Sequence, residues 1–353
     1  MTYLNSIFKF KSFYIKLCSW EYWPMWVVYF PLGFYYTYLA IKARSFFFFS
    51  ASNPSIETGG MFFESKWSIF QLMPKHYFPN TILVMPKDVS TIIEARMIAA
   101  NIEFPIIAKP DRGERGWRVK KINSFTELVQ YKTNTNIPFL VQSYIDYPVE
   151  LSVFYYRHPH SNKGMITSVT YKKLLSVVGD GLSTISTLIK KNDRAFLQYQ
   201  RLKRENSVDF AMVLPLGEEK ILVPYGNHVL GTMFIDFNHI VDDALTNAID
   251  AISKNIEGFY FGRFDLRCAS IEDLKMQQNF SILELNGAGA EPAHIYHPGF
   301  SFFKAQKVLM QHFKMLFDAA RANEQEGVPF MSYQAYKKTK QLEKVFKQQA
   351  LQA

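Results

Sequence analysis

The chain has 353 residues, enough for one large domain or two to three smaller ones around a real buried core. With 48% hydrophobic residues it is not a disordered chain. With Cys18 and Cys268 as its only cysteines it is not a disulfide scaffold, and the count suits a reducing compartment. The net charge of +9 sits mainly at the ends: residues 1–50 and residues 334–353 each carry five Lys/Arg against one Glu, which argues against a globally basic nucleic-acid binder.

Of the 57 aromatic residues, 19 fall within residues 1–50. Tyr22 to Ile41 is a run of 20 residues without a charge, long enough as a helix to cross about 30 Å of hydrocarbon. Trp20, Trp23 and Trp26 crowd one end of it. Tyr35, Tyr36 and Tyr38 lie near the other, followed by Lys42 and Arg44. Such rings belong at lipid headgroup level, with basic residues just outside. Pro24 and Pro31 oppose a straight helix. The segment lacks the small-residue cleavage site of a signal peptide. Phe46 to Phe49 add four consecutive rings. Three readings stand: a monotopic helix or re-entrant hairpin in the membrane interface, a true span, or an aromatic layer inside a soluble domain or homodimer interface. Only this window approaches spanning length, so a multi-span protein is excluded.

After a turn-rich linker, NPSIETGG (53–60), the pattern predicts a helix over 64–75, a strand over 81–85 and a helix over 88–100. PIIAK (105–109) reads as a buried strand with 117–122 as hairpin partner. A helix over 124–132 opens on a capping box, Ser124 and Glu127. Strands are expected at 139–143, 150–157, within 165–178, and at 221–225, 232–235, 260–268 and 280–286. Helices are expected at 183–191, 242–255, 301–322 and 332–350. Strands mixed with helices and antiparallel hairpins define an α+β class.

Three stretches carry chemistry. In FPIIAKPDRGERGW a strand ends in Lys109, and a turn with Arg112, Gly113, Arg115 and Gly116 follows. Glycine lets backbone N–H groups approach an anion, and the basic side chains add charge. In GRFDLR and SILELNGAGAEP, Arg263 and Asp265 share one strand face, as do Glu284 and Asn286 on the next strand. Oxygen ligands of this kind suit Mg²⁺, which binds through one or two carboxylates plus nucleotide phosphates. The alternative is two exposed sheet faces with cross-strand pairs. Glu150, after VQSYIDYP, either meets a ribose or is an ordinary strand-edge acid.

Together and in this order, these stretches resemble the ATP-grasp superfamily, most closely its D-alanine–D-alanine ligase-like carboxylate–amine ligase branch, over roughly residues 60–320. VVGDGLSTISTLI also resembles a segment of cyanophycin-synthetase-like members. The resemblance implies an ATP-grasp fold of two α+β subdomains clasping ATP, here with an atypical aromatic N-terminal segment (1–52). A linker and partial pre-ATP-grasp region (53–104), the ATP-grasp domain (105–325) and a basic C-terminal helix (326–353) follow. It implies that Lys66 and Lys109 hold phosphates, that residues 111–117 form a loop over them, and that Gln142, Tyr144 and Ile145 meet adenine. Glu150 would bind the ribose. Asp265, Glu284 and Asn286 would bind two Mg²⁺ ions, with Mn²⁺ as the alternative metal, and Arg263 would steady the acyl phosphate. Either Lys172 or Lys173 would reach the γ-phosphate. Glu291 and His294 stand where the family keeps a substrate loop. The implied activity is ADP-forming ligation of a small carboxylate to an amine, at the cytoplasmic membrane face if residues 1–50 contact lipid. An ATP-grasp kinase and a non-catalytic binding module are the alternatives. The family's N-terminal substrate domain is absent before Lys66, so no D-alanine specificity carries over.

Overall fold

A computed structural model describes residues 2–114, 116–205, 208–224 and 226–351, with side chains from Phe8 onward. Arg115 and Tyr225, expected in the glycine-rich loop and at a strand end, lie outside the described residues. The architecture is α+β, and the strand pairings resolved residue by residue are antiparallel. The chain divides into two compact units: Phe34–Val169, Asn238–Pro292 and Leu309–Ala353 form the larger, and Met1–Gly33, Thr170–Phe237 and Ala293–Val308 the smaller.

In the larger unit, β1 (Thr81–Val84), β2 (Ile106–Pro110), β3 (Lys120–Ile122) and β4 (Phe139–Ser143) form a sheet of order β1-β4-β2-β3. The expected hairpin of PIIAK with 117–122 is therefore present, Ile106 facing Ile122. Period-two apolar residues Ile82, Val84, Ile106, Ala108, Phe139 and Val141 bury one face. Ile93 and Met97 of α4 (Ser90–Ala99), with Leu128 and Tyr131 of α5 (Phe125–Thr133), close that core. Ser124 caps α5 by accepting from the Glu127 N–H. The Glu127 carboxylate accepts from Asn123 N–H, one residue upstream of the cap, so the box closes on a neighbouring donor. The helix expected over 64–75 is shorter, α3 (Lys66–Gln71). Pro74 has no N–H and pushes Met73 away from helical geometry.

The second sheet of this unit sets β11 (Phe280–Asn286), β10 (Phe261–Cys268) and β5 (Val149–Tyr156) side by side in that order. One core lies under Phe154 and Phe261, filled by Leu39, Phe48, Phe49, Leu316 and Phe317. The four-phenylalanine run is thus split: Phe48 and Phe49 are core, whereas Phe46 is exposed. The segment 53–60, expected as a linker, is a packed element. Asn53 donates to the carbonyls of Gly59 (2.9 Å) and Phe261 (2.8 Å) and accepts from the N–H groups of Tyr260 (2.9 Å) and Phe261 (3.0 Å). Gly59 and Gly60 lie backbone to backbone on Gly287–Gly289, through N–H donors of Ala288 (2.9 Å) and Gly289 (2.8 Å). A Cβ on Gly287 would stand 2.4 Å from the Gly59 oxygen, so side chains are excluded there. The basic C-terminal helix (Tyr333–Leu351) also packs on this unit, with Phe346 against Phe63 and the Ala350 carbonyl accepting from Arg118 (2.9 Å).

The smaller unit holds the ribbon of β7 (Leu175–Val178) and β8 (Glu219–Val223) with α6 (Ile185–Lys191) and α7 (Asp193–Glu205) over Leu175, Ile185, Ile189, Ala195 and Leu222. The sequence did not announce α7, whose polar surface hides its short apolar seam. The Thr170–Lys173 stretch of β6 (Met165–Lys173) pairs with β9 (Met233–Asp236). In the Gly179-Asp180-Gly181 turn, the Asp180 carboxylate accepts from the Ser183 (2.6 Å) and Leu182 (3.0 Å) N–H groups, which hold it well below the usual carboxylate range. Glu21 accepts from Arg194 and from His228 (3.0 Å). Helix α1 (Thr2–Cys18) lies on α7, Phe8 stacking on Phe196 at 4.3 Å and Lys11 pairing with Asp193 at 3.2 Å.

Helix α2 (Met25–Ala43) runs through Pro31. It buries Val28, Leu32, Leu39 and Ala43 along one side and exposes Trp26, Phe34, Tyr38 and Ile41 along the other. No helix among the described residues is long and apolar enough to cross a membrane.

Candidate active site on strands β10 and β11

Strand alternation sends Arg263, Asp265 and Arg267 to one face of β10. Across the ladder, Arg263 faces Asn286 and Asp265 faces Glu284 on β11, with a bulge immediately after Asp265. On the other flank, Ser152 and Glu150 of β5 face Asp265 and Arg267. The sheet register alone therefore assembles Arg263, Asp265, Glu284 and Asn286 on neighbouring strands.

Asp265 is almost fully buried. Its carboxylate accepts from Arg263 through Nε (3.2 Å) and Nη2 (3.0 Å), from Asn286 Nδ2 (3.2 Å) and from the Ser152 hydroxyl. Burial acts to lower the Arg263 pKa, but the Asp265 carboxylate beside it, with Glu284, more than offsets this and raises it. Arg263 also donates to the Glu291 carbonyl (3.1 Å), so Glu291 enters the site through its backbone. Glu284 is the open member: its side chain is 35% exposed, and its ion pair with Lys66 is a loose 3.6 Å.

Lys109, at the end of β2, is buried and donates to Gln142 Oε1 (3.0 Å) and the Leu283 carbonyl of β11 (2.9 Å). Burial pushes its pKa down to about 8, Lys66 pushes the same way, and Glu284 and Asp265 oppose. Gln142 is held at its other end, its Nε2 donating to Thr81 Oγ1 (2.9 Å). Lys66 donates to the Gly113 carbonyl. Gly113 (φ +139°) and Gly116 (φ +72°) take conformations that disfavour side chains. Arg112 is turned to Glu57, donating at 2.6 and 3.1 Å, and to the Phe63 carbonyl. Lys121 lies 3.7 Å over the Tyr144 ring, and Ile145 accepts from Arg267 through its carbonyl (2.9 Å). The Glu150 carboxylate accepts from Arg267 twice, at 3.0 and 2.8 Å, both side chains only 10% exposed.

The larger unit thus brings together Lys66, Lys109, Gly113, Gln142, Arg263, Asp265, Glu284 and Asn286. Arg112 and Glu150 are engaged by their own ion pairs. Lys172, Lys173 and His294 belong to the smaller unit. Lys172 is the buried member of the lysine pair and Lys173 the exposed one. His294 is buried, and burial lowers its pKa against the opposing charge of Asp236.

Several contributing residues escaped the sequence. Arg267 and Ser152 were legible in principle: Arg267 continues the alternating Arg-x-Asp-x-Arg pattern, and Ser152 lies two residues beyond Glu150. Asp111, which accepts from Ser65 Oγ (2.9 Å) and Trp67 N–H (2.8 Å) and so anchors α3, sits inside a motif whose charge drew attention to its basic residues. Glu64 left no signal. One of its carboxylate oxygens is buried without a hydrogen-bond partner among the described residues, and burial raises its pKa, with Lys66, Glu114 and Glu284 acting on it electrostatically.

Among the described residues no group of three His, Cys, Asp or Glu side chains suits a metal. Two carboxylates and an amide oxygen beside three cations form a different donor set, one that suits a divalent ion completed by phosphate oxygens. The orphaned Glu64 oxygen and the open Glu284 carboxylate are consistent with that, since both lack strong protein partners.

No protein-family model matches the sequence, and no curated protein matches it. Solved structures do. A bifunctional glutathione synthetase from Pasteurella multocida is similar at 15% identity and TM-score 0.39, over 70% of this chain and 36% of that one. The D-alanine-D-alanine ligase from Coxiella burnetii is similar at 11% identity and TM-score 0.40, over 76% and 59%. That from Bacillus anthracis, complexed with ATP, is similar at 12% identity and TM-score 0.42, over 74% and 68%. The chain spans between about a third and about two thirds of the length of these structures. At these identities the likeness transfers no residue's role.

Proposed function

We propose that the protein is an ATP- and Mg²⁺-dependent ligase of the ATP-grasp kind, activating a small carboxylate for attack by an amine. The supporting observation is buried Asp265 paired with partly buried Arg263 and flanked by Glu284 and Asn286 on adjacent antiparallel strands, with buried Lys109 bonded to the Leu283 carbonyl of the same β11. Asp265, Glu284 and Asn286 would hold the metal, which when bound neutralises charge developing between the β- and γ-phosphates. Lys109 and Lys66 would hold phosphate oxygens, and the loop at Gly113 and Gly116 would offer backbone N–H groups.

In the reaction a substrate carboxylate oxygen bonds to the γ-phosphorus as ADP leaves. The amine nitrogen then bonds to the carbonyl carbon, loses a proton, and phosphate leaves. The contribution of this chain is positioning and electrostatic stabilisation. Arg263, fixed by Asp265, would steady the negative charge of the acyl phosphate. Lys172 or Lys173, by resemblance, is the candidate for the γ-phosphate, Lys172 being the buried one of the two. Glu150, locked to Arg267, is cast here as a support of the site's edge, with Gln142 orienting Lys109. We further propose that the enzyme works on the cytoplasmic side at a membrane surface, for which the exposed aromatic sides of α1 and α2 are the support.

An ADP-release screen over amino and hydroxy acids, with product identification, tests the reading. Release of ADP and free phosphate with an amide product supports it. A stable phospho-product would mean a kinase. Unchanged turnover in both Asp265→Ala and Glu284→Ala would remove the site altogether.

A further inference from the structure

Helix α1 carries apolar residues on two sides, and one of those sides faces out. The inward side packs on α7 through Phe8 on Phe196 and Tyr199 and Lys11 over the Phe196 ring at 4.5 Å, and Ile15 is buried. The outward side presents Phe10 (72% exposed), Phe13 (63%), Tyr14 (60%) and Leu17 (56%). These sit at i, i+3, i+4 and i+7, so they form one continuous stripe. Lys9 and Lys16, seven residues apart, line one edge of the stripe and are exposed, and the helix contains no Asp or Glu. An apolar side this bulky is not left in water without a use, since contiguous exposed apolar patches mark interaction sites.

The charge decides what covers it. A second copy of this chain would bring a like-charged helix to the same face, whereas an anionic lipid surface matches exposed lysines flanking aromatic rings. Phe, Tyr and Leu side chains enter the boundary of headgroup and acyl chain, and lysines meet lipid phosphate. The helix cannot do this by spanning, since no helix among the described residues is long and apolar enough.

We propose that α1 is an in-plane lipid-docking helix: Phe10, Phe13, Tyr14 and Leu17 insert into an anionic phospholipid surface while Lys9 and Lys16 pair with its phosphates. This rests on the membrane part of the functional reading and names the lipid class and the contact residues. It is independent of ATP chemistry, so its test needs neither substrate.

Full-length protein is floated on a density gradient with vesicles of phosphatidylcholine alone or phosphatidylcholine with about a third phosphatidylglycerol. Expected results are flotation with the anionic vesicles, at least about tenfold less with neutral ones, and release at high salt. Phe13→Ser/Leu17→Ser and Lys9→Glu/Lys16→Glu should each lose flotation while keeping the wild-type melting temperature, since all four side chains are exposed. Phe13→Trp should show a fluorescence blue shift with anionic vesicles only. Absence of wild-type flotation overturns the proposal. So does equal flotation in both double variants. Sedimentation showing a wild-type dimer that Phe13→Ser/Leu17→Ser dissociates would assign the face to a second copy and overturn it as well.

Discussion

Strands β10 and β11 and helix α1 break the inside-outside rule in opposite directions. On the strands, an arginine and an aspartate are withdrawn from water inside a sheet. On the helix, three aromatic side chains and a leucine are pushed into it. Burying a charge is tolerated only with a partner, and Asp265 accepts four hydrogen bonds from three of them: two from Arg263 and one each from Asn286 and Ser152. Exposing a ring costs the folded chain little, because the unfolded chain exposes it too. The strands therefore hold a device whose parts need one another, and the helix a surface whose parts act only on something outside. Mutation should separate the two sharply.

The largest effect belongs to the strands. Asp265→Ala removes a proposed metal ligand and strands Arg263, so ATP turnover should fall at least about 100-fold, the scale of losing one preorganised electrostatic group. Steady-state ADP release measures it. Next comes Glu150→Ala. Leaving the buried Arg267 unpaired should cost about 3 kcal/mol, read by denaturant unfolding. If stability instead holds and only the KM for ATP rises, Glu150 is a nucleotide contact rather than a support.

Lys109 gives a pH signature. Its pKa in the folded protein lies near 8, below the ordinary 10.5 of the unfolded chain. Between those values the unfolded state binds the extra proton, so this group's penalty on stability is full below pH 8 and is relieved as pH rises toward 10.5. The stability of Lys109→Met relative to wild type should therefore fall across that window. The constant cost of unpairing Gln142 and the Leu283 carbonyl does not change the slope. A flat difference from pH 8 to 10 would mean that Lys109 is not desolvated.

The smallest effect belongs to the helix. Phe13→Ser/Leu17→Ser should shift unfolding by no more than about 0.5 kcal/mol, as for other exposed positions. A loss of several kcal/mol would mean that this face is packed, and the contrast with the strands would collapse.

The same contrast explains what the sequence disclosed. The strands expected at 139–143 and 280–286 have those bounds in β4 and β11. They also put Asp265 and Glu284 within reach, because register follows alternation and the hydrophobic face. The Lys172/Lys173 choice was open because alternation says that one faces in without saying which. Long-range pins were not legible. Asn53, Asp111 and Glu64 act across tens to hundreds of residues, and no local period marks them. The aromatic N-terminus was legible as an oddity and misleading as a block. Phe48 and Phe49 fill the larger unit's core, and Phe10 and Phe13 face water, although composition treats all four alike. Burial is a property of the partner surface, which a local sequence does not contain.

The proposed binding of a nucleotide to β10 and β11 through a divalent ion is read by equilibrium titration of ATP with and without Mg²⁺. Glu284→Gln is the informative variant, since among the described residues its only ion pair is the loose one to Lys66, and its fold should survive. Wild type should bind ATP at least about tenfold more tightly with Mg²⁺, and Glu284→Gln should lose most of that gain at an unchanged melting temperature. Equal ATP affinity with and without Mg²⁺, or an unaltered Mg²⁺ effect in the variant, would contradict the account.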